Sequence, residues 1–113
     1  MSRLMKQRLH DVMVSCQAII AYTEGLDFDE YLQSPMVRDA VERRIEIIGE
    51  ALNRARQLDP DLAERIPEWR DIVGMRNRLA HGYEAVDNRA VWVALTERMP
   101  LLQAQVAAML DEL

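Results

Sequence analysis

Hydrophobic residues recur along this chain at alternating steps of four and three, the rhythm of one helix face. Met5, Leu9, Val12, Cys16 and Ile19 make the first stripe. The spacing predicts a helix that fades near Thr23-Glu24-Gly25, where glycine suits the position just past a helix end. Asp27 to Gln33 reads as a linker with a short turn. Ser34-Pro35 then supplies an N-cap followed by proline at the first helical position, and Val37, Val41, Ile45, Ile48, Leu52 and Ala55 carry a second stripe. Asp59-Pro60 repeats the start signal for a short helix through Ile66. Pro67 opens a segment in which Trp69, Ile72, Val73 and Leu79 share a face, with Gly82 marking its end.

The last helix begins near Asp87, and Trp92, Leu95, Met99, Leu102, Val106, Met109 and Leu113 keep the same rhythm. Pro100 interrupts it and predicts a kink, because proline removes one hydrogen bond and crowds the carbonyl of Thr96. No strand alternation appears. The predicted fold is all-α: one domain over residues 1–113, an up-and-down bundle of four main helices plus short ones. Long apolar seams with only 5% aromatic residues suggest a core completed by a second copy, a homodimer. Gly74, inside a helical stretch, suits close backbone approach at such a contact, and equally a local kink.

Charge narrows the partners. Lys+Arg 14 against Asp+Glu 19 gives a net charge of −5, unfavourable for non-specific nucleic-acid binding. Any RNA chemistry must then sit in a local basic site. The lone Cys16 excludes a disulfide framework and a cysteine zinc cluster, and no metal or cofactor is expected. No apolar run approaches the ~18 residues of a membrane span, and the first residues lack a signal peptide's apolar core. The expectation is a soluble, cytoplasmic domain without membrane contact.

The chemistry concentrates in Gly74-Met75-Arg76-Asn77-Arg78-Leu79-Ala80-His81-Gly82-Tyr83. Histidine exchanges protons near neutral pH, and arginine stays cationic and grips phosphate through paired hydrogen bonds. The two suffice for metal-free RNA cleavage: a base takes the 2′-hydroxyl proton, that oxygen attacks phosphorus, and a cation stabilises the developing charge. At about 100° per residue, Arg76 and His81 stand about 140° apart on a continuous helix. They meet only if the helix ends between them or if a second copy sets its motif opposite. The blander reading is a histidine and arginines complementing a helix C-terminus. His10 reads as a surface residue and Cys16 as a buried small one.

Arg76 to Tyr83 resembles the R-x4-H-x-Y signature of HepT-like ribonuclease toxins in the HEPN superfamily. Tyr22-Thr23-Glu24-Gly25, Ile45-Glu46-Ile47-Ile48-Gly49-Glu50-Ala51, Trp69-Arg70-Asp71-Ile72 and Val91-Trp92 extend the resemblance over nearly the whole chain, in the family's usual order. The resemblance implies a HEPN-like helical bundle that dimerises around a shared cleft, and a metal-independent endoribonuclease. It makes Arg76 and His81 the catalytic pair, with Asn77 the polar residue that follows the arginine; the expected role of Asn77 is to orient one of that pair, and Arg78 is a secondary candidate for RNA phosphate contact. It also implies a type VII toxin–antitoxin system with an MntA-like nucleotidyltransferase antitoxin, which silences the toxin by AMPylation of Tyr83. Nucleotide bulk and phosphate charge added beside Arg76 would block substrate phosphate.

Two other readings compete. The same bundle can serve as a non-catalytic nucleotide- or RNA-binding module or a scaffold dimer partnering a nucleotidyltransferase. It can also be a structural homodimer in which Arg76 and Tyr83 merely knit the interface.

Overall fold

The computed structural model describes residues 2–81 and 86–112, His81 by its backbone only. The described residues form helices and no strand. The expected roles of Gly82 and Leu113 lie outside them.

Helix α1 (Arg3–Thr23) starts on Ser2, whose hydroxyl accepts a hydrogen bond from the Met5 amide at 3.1 Å. It stops where Gly25 adopts φ +77, a left-handed conformation that costs glycine little. The linker that follows is more ordered than a turn. It contains a one-turn helix, α2 (Phe28–Leu32), held by a capping box: the Asp27 carboxylate accepts from the Glu30 amide at 2.8 Å, and the Glu30 carboxylate accepts from the Asp27 amide at 3.1 Å. Helix α3 (Pro35–Leu58) begins at the predicted proline, but Ser34 does not cap it. Its hydroxyl donates back to the Glu30 carbonyl at 2.9 Å, closing α2 instead. Helix α4 (Leu62–Arg65) is a single turn, and α5 (Trp69–His81) runs unbroken through Gly74.

The last long element begins at Asp87, whose carboxylate accepts from the Ala90 amide at 3.0 Å. It runs as α6 (Asn88–Val93), a π-helical turn (Ala94–Arg98) and α7 (Met99–Asp111). The π turn is how the chain accommodates Pro100. The Met99 amide reaches back five residues to the Ala94 carbonyl, and the Thr96 hydroxyl satisfies the Trp92 carbonyl at 2.8 Å. A widened turn relieves the crowding that a proline ring imposes on a tight one, so the helical course continues beyond it.

Helix α3 is the centre of the bundle, packed between α1 and α5, while α1 also packs on α7. All five residues of the first stripe are buried, as are Val41, Ile45, Ile48, Leu52 and Ala55 of the second, with Val37 only partly so. Cys16 lies wholly inside, and burial pushes its thiol up to about 12. His10 is exposed. Among the described residues no helix is long and apolar enough to cross a membrane.

Helix α5 is tied down on two sides. The guanidinium groups of Arg56 on α3 and of Arg70 both stand over the Trp69 ring, at 4.7 and 5.4 Å from its centre. Asp71 pairs with Arg98 of the π turn at 2.8 Å. A Cβ placed on Gly74 would lie 3.6 Å from the Arg78 guanidinium, an ordinary contact, so packing within the chain does not require glycine there.

Candidate active site

Arg76 enters the site by lying across Gly49, a buried glycine in the middle of α3. A Cβ at position 49 would stand 2.6 Å from Cγ of Arg76 and closer still to its Cβ. No other residue type fits unless α5 moves away. Glycine inside a helix costs about 1 kcal/mol relative to alanine, so its presence here marks a helix contact made too close for any side chain.

The next residue, Glu50, engages the arginine that Gly49 admits. Its Oε2 accepts from Nη2 of Arg76 at 2.8 Å, and its Oε1 accepts from Nε of Arg54, one turn further along α3, at 2.6 Å. The Arg54 hydrogen bond, followed by the charges of Arg54, Arg76 and Arg8 of α1, holds the Glu50 carboxyl below the usual carboxylate range, against the opposing effect of desolvation. On its other side Arg76 donates from Nη1 to the Asn77 carboxamide oxygen at 2.8 Å. The guanidinium is therefore fixed at both ends, with its side chain 30% exposed. Its remaining N–H groups are not used by these two bonds, and a guanidinium carries five donors in all.

Three of the predicted site residues, Arg76, Asn77 and Arg78, have described side chains. Arg76 and Asn77 lie together. Arg78 does not join them: it lines a groove between α5 and the last helices with Arg70 and Arg98. His81 ends α5 with helical backbone, so positions 76 and 81 stand about 140° apart on one continuous helix. The side chain of His81 lies outside the described residues, as does Tyr83.

Nothing in the sequence alone marks Gly49, Glu50 and Arg54 as site residues with any force. A faint signal existed: a glycine interrupting a long helical stripe, followed by a carboxylate and an arginine four residues apart. Nothing local linked them to Arg76, 26 residues beyond Glu50.

Comparison with known proteins places the chain in a family. Residues 13–109 match the family described as "Ribonuclease HepT-like". A Methanocaldococcus jannaschii protein named "Putative RNase MJ1380" is 35% identical over 106 residues, covering 92% of this chain and 94% of the relative. "Putative RNase TTE0752" of Caldanaerobacter subterraneus is 30% identical, covering 92% of each chain. "Probable ribonuclease HepT" of Thermococcus cleftensis is 33% identical over 107 residues, covering 93% of this chain and 94% of its own. No solved structure gives a significant match. The site is thus built on a chain that belongs to the HepT-like ribonuclease family.

Proposed function

We propose that this protein is the RNA-cleaving toxin of a type VII, HepT/MntA-like pair, a metal-independent endoribonuclease acting through Arg76 and His81. The supporting observation is the fixed guanidinium: Arg76 rests on Gly49, is braced by Glu50 and Asn77, and stays partly open to solvent. Such a cation needs no reorganisation to meet a phosphate, which makes fixed charges effective at a developing oxyanion.

In this reading an imidazole takes the proton of the 2′-hydroxyl. The freed oxygen forms a bond to phosphorus, the bond from phosphorus to the 5′-oxygen breaks, and an imidazolium protonates that leaving oxygen. The products are a 2′,3′-cyclic phosphate and a 5′-hydroxyl end. Arg76 holds the phosphate throughout, and Asn77 orients Arg76. Because one continuous helix separates positions 76 and 81 by about 140°, the site is completed in a homodimer, where a second copy sets its motif across a shared cleft.

Tyr83 is the site of silencing. It follows His81 by two residues in the sequence, within the same motif. An AMP group transferred from ATP to its hydroxyl by a nucleotidyltransferase antitoxin places a phosphate beside Arg76 in competition with RNA. A second reading has one observation in its favour. The Arg76–Glu50 pair at 2.8 Å is also the closed ion pair that a non-catalytic nucleotide- or RNA-binding scaffold for the nucleotidyltransferase would hold.

The test is RNA cleavage by the purified protein with EDTA present. The nuclease reading expects cyclic-phosphate ends from the parent and their loss in both Arg76→Ala and His81→Ala. Equal cutting by His81→Ala and the parent rejects it. Intact-mass measurement after co-expression with a neighbouring nucleotidyltransferase tests silencing: the mass gain must be absent in Tyr83→Phe.

A further inference from the structure

The groove that contains Arg78 is separate from the seat of Arg76. It lies between α5 and the α6–π turn–α7 element, and encloses about 430 Å³, within the size range of small-ligand sites. Three arginines, Arg70, Arg78 and Arg98, line it against one acid, Asp71, which is already paired with Arg98 at 2.8 Å. Arg70 is steadied by stacking on Trp69, and neither Arg70 nor Arg78 forms an ion pair with a described residue. The floor is apolar, with Met75 and Met99 among its residues.

This concentration of positive charge runs against a chain whose net charge is −5. Positively charged grooves with apolar surface between the cations suit single-stranded nucleic acid, whose phosphates take the guanidinium groups while ribose and base cover the floor. Position matters as well. Arg76 and Arg78 stand two residues apart on α5, so only the width of one helix, about 10–12 Å, divides the two faces.

We infer that the Arg70–Arg78–Arg98 groove is a binding track for the ribose–phosphate backbone of single-stranded RNA flanking the cleavage point. The inference rests on the reading of the chain as an RNA-handling protein and extends it to how substrate is gripped. Arg78 then acts in holding RNA away from the scissile phosphate, and the groove favours substrates several nucleotides long over short ones.

The experiment measures affinity, not cleavage, so that it is independent of catalysis. Full-length His81→Ala protein is titrated against a labelled single-stranded RNA of about ten nucleotides over a range of salt concentrations. Introducing Arg70→Gln and Arg78→Gln together is expected to weaken binding at least tenfold and to lower the slope of log affinity against log salt by about 1.4, two phosphate contacts at ~0.7 each. Arg3→Gln with Arg43→Gln, the same charge loss elsewhere, is expected to leave affinity within twofold. Val93→Glu, which sets a carboxylate on the groove wall at a residue 39% exposed, is expected to weaken binding without touching an arginine. Unchanged affinity in the groove variants overturns the inference. So does a change in oligomeric state by light scattering, which would make the groove an interface between copies. RNA affinity that depends on the groove in a protein whose parent never cuts RNA upholds the track and rejects the nuclease. Cutting by a parent whose groove variants bind normally does the reverse.

Discussion

Gly49 and Arg76 occupy one volume that only a missing side chain makes available: the arginine stem lies where the Cβ of any other residue at position 49 would be. Gly49→Ala therefore bears on both folding and activity. Alanine returns about 1 kcal/mol of helix propensity, while overpacking costs about 3 kcal/mol or more where a helix must shift, so the net loss is about 2 kcal/mol or above. Cleavage should fall too, by about 10²-fold, because a misplacement of about 1 Å at the site suffices for that. Urea unfolding beside initial rates of RNA cleavage checks both, and a variant that keeps full activity refutes the seat.

Glu50 gives a pH signature. Its folded carboxyl titrates below the unfolded value, first through the Arg54 hydrogen bond and then through the charges of Arg54, Arg76 and Arg8. A depressed carboxylate contributes stability above its unfolded pKa, near 4.3, and loses that contribution as pH falls through the folded pKa. The parent should thus gain stability relative to Glu50→Gln as pH rises from about 3 to about 6. Both partners are substantially exposed, so the difference should be small, about 0.2–1 kcal/mol. Parallel unfolding curves for the two proteins across that range would remove the pair from the account.

Those two residues show where sequence reasoning stops. The stripes of α1 and α3 were legible because burial on one face imposes a period, and the ends at Gly25 and Pro35 because backbone geometry restricts residue type. Helix α2 reads as no more than a turn in the sequence because five residues are too few to show a period, although Asp27 and Glu30 carry its capping box in plain view. Pro100 announced an irregularity but not its form, since a kink and a π turn answer the same missing hydrogen bond. Arg76 and Asn77 were legible as a motif. Their seat and brace were not, because Gly49 and Glu50 meet them only through the register of α3 against α5, a property of packing and not of spacing.

Cys16 tests the core. It is wholly buried with its thiol pushed to about 12, so little thiolate exists at neutral pH. A thiol reagent at about pH 8 should label the native protein at least 10²-fold more slowly than the urea-unfolded chain. Rapid native labelling would mean that α1 leaves the bundle easily.

Tyr31 is fully buried beside Trp92, ring centres 5.2 Å apart, and its hydroxyl has no hydrogen-bond partner among the described residues. Removing a buried polar group without a partner relieves its desolvation penalty of about 1–3 kcal/mol. Tyr31→Phe should leave stability unchanged or raise it, whereas Tyr31→Ala should cost about 3–5 kcal/mol. Thermal unfolding of both decides, and a clear loss in the phenylalanine variant would reveal a hydroxyl partner.

The most discriminating experiment mixes two inactive proteins. Because α5 stays helical through His81, positions 76 and 81 of one copy stand about 140° apart, and the proposed site draws the two residues from different copies. Arg76→Ala and His81→Ala homodimers each contain only defective sites. In a heterodimer one cleft site carries both defects, while the other pairs the intact Arg76 of one copy with the intact His81 of the other. Random exchange of equal amounts makes half the dimers mixed, so cleavage should return to about a quarter of the parent rate. If both residues acted within a single copy, neither subunit of the heterodimer would hold an intact pair and nothing would return. Exchange is verified independently by co-purification of two differently tagged chains, so that silence in the mixture reports the geometry of the site and not a failure to mix.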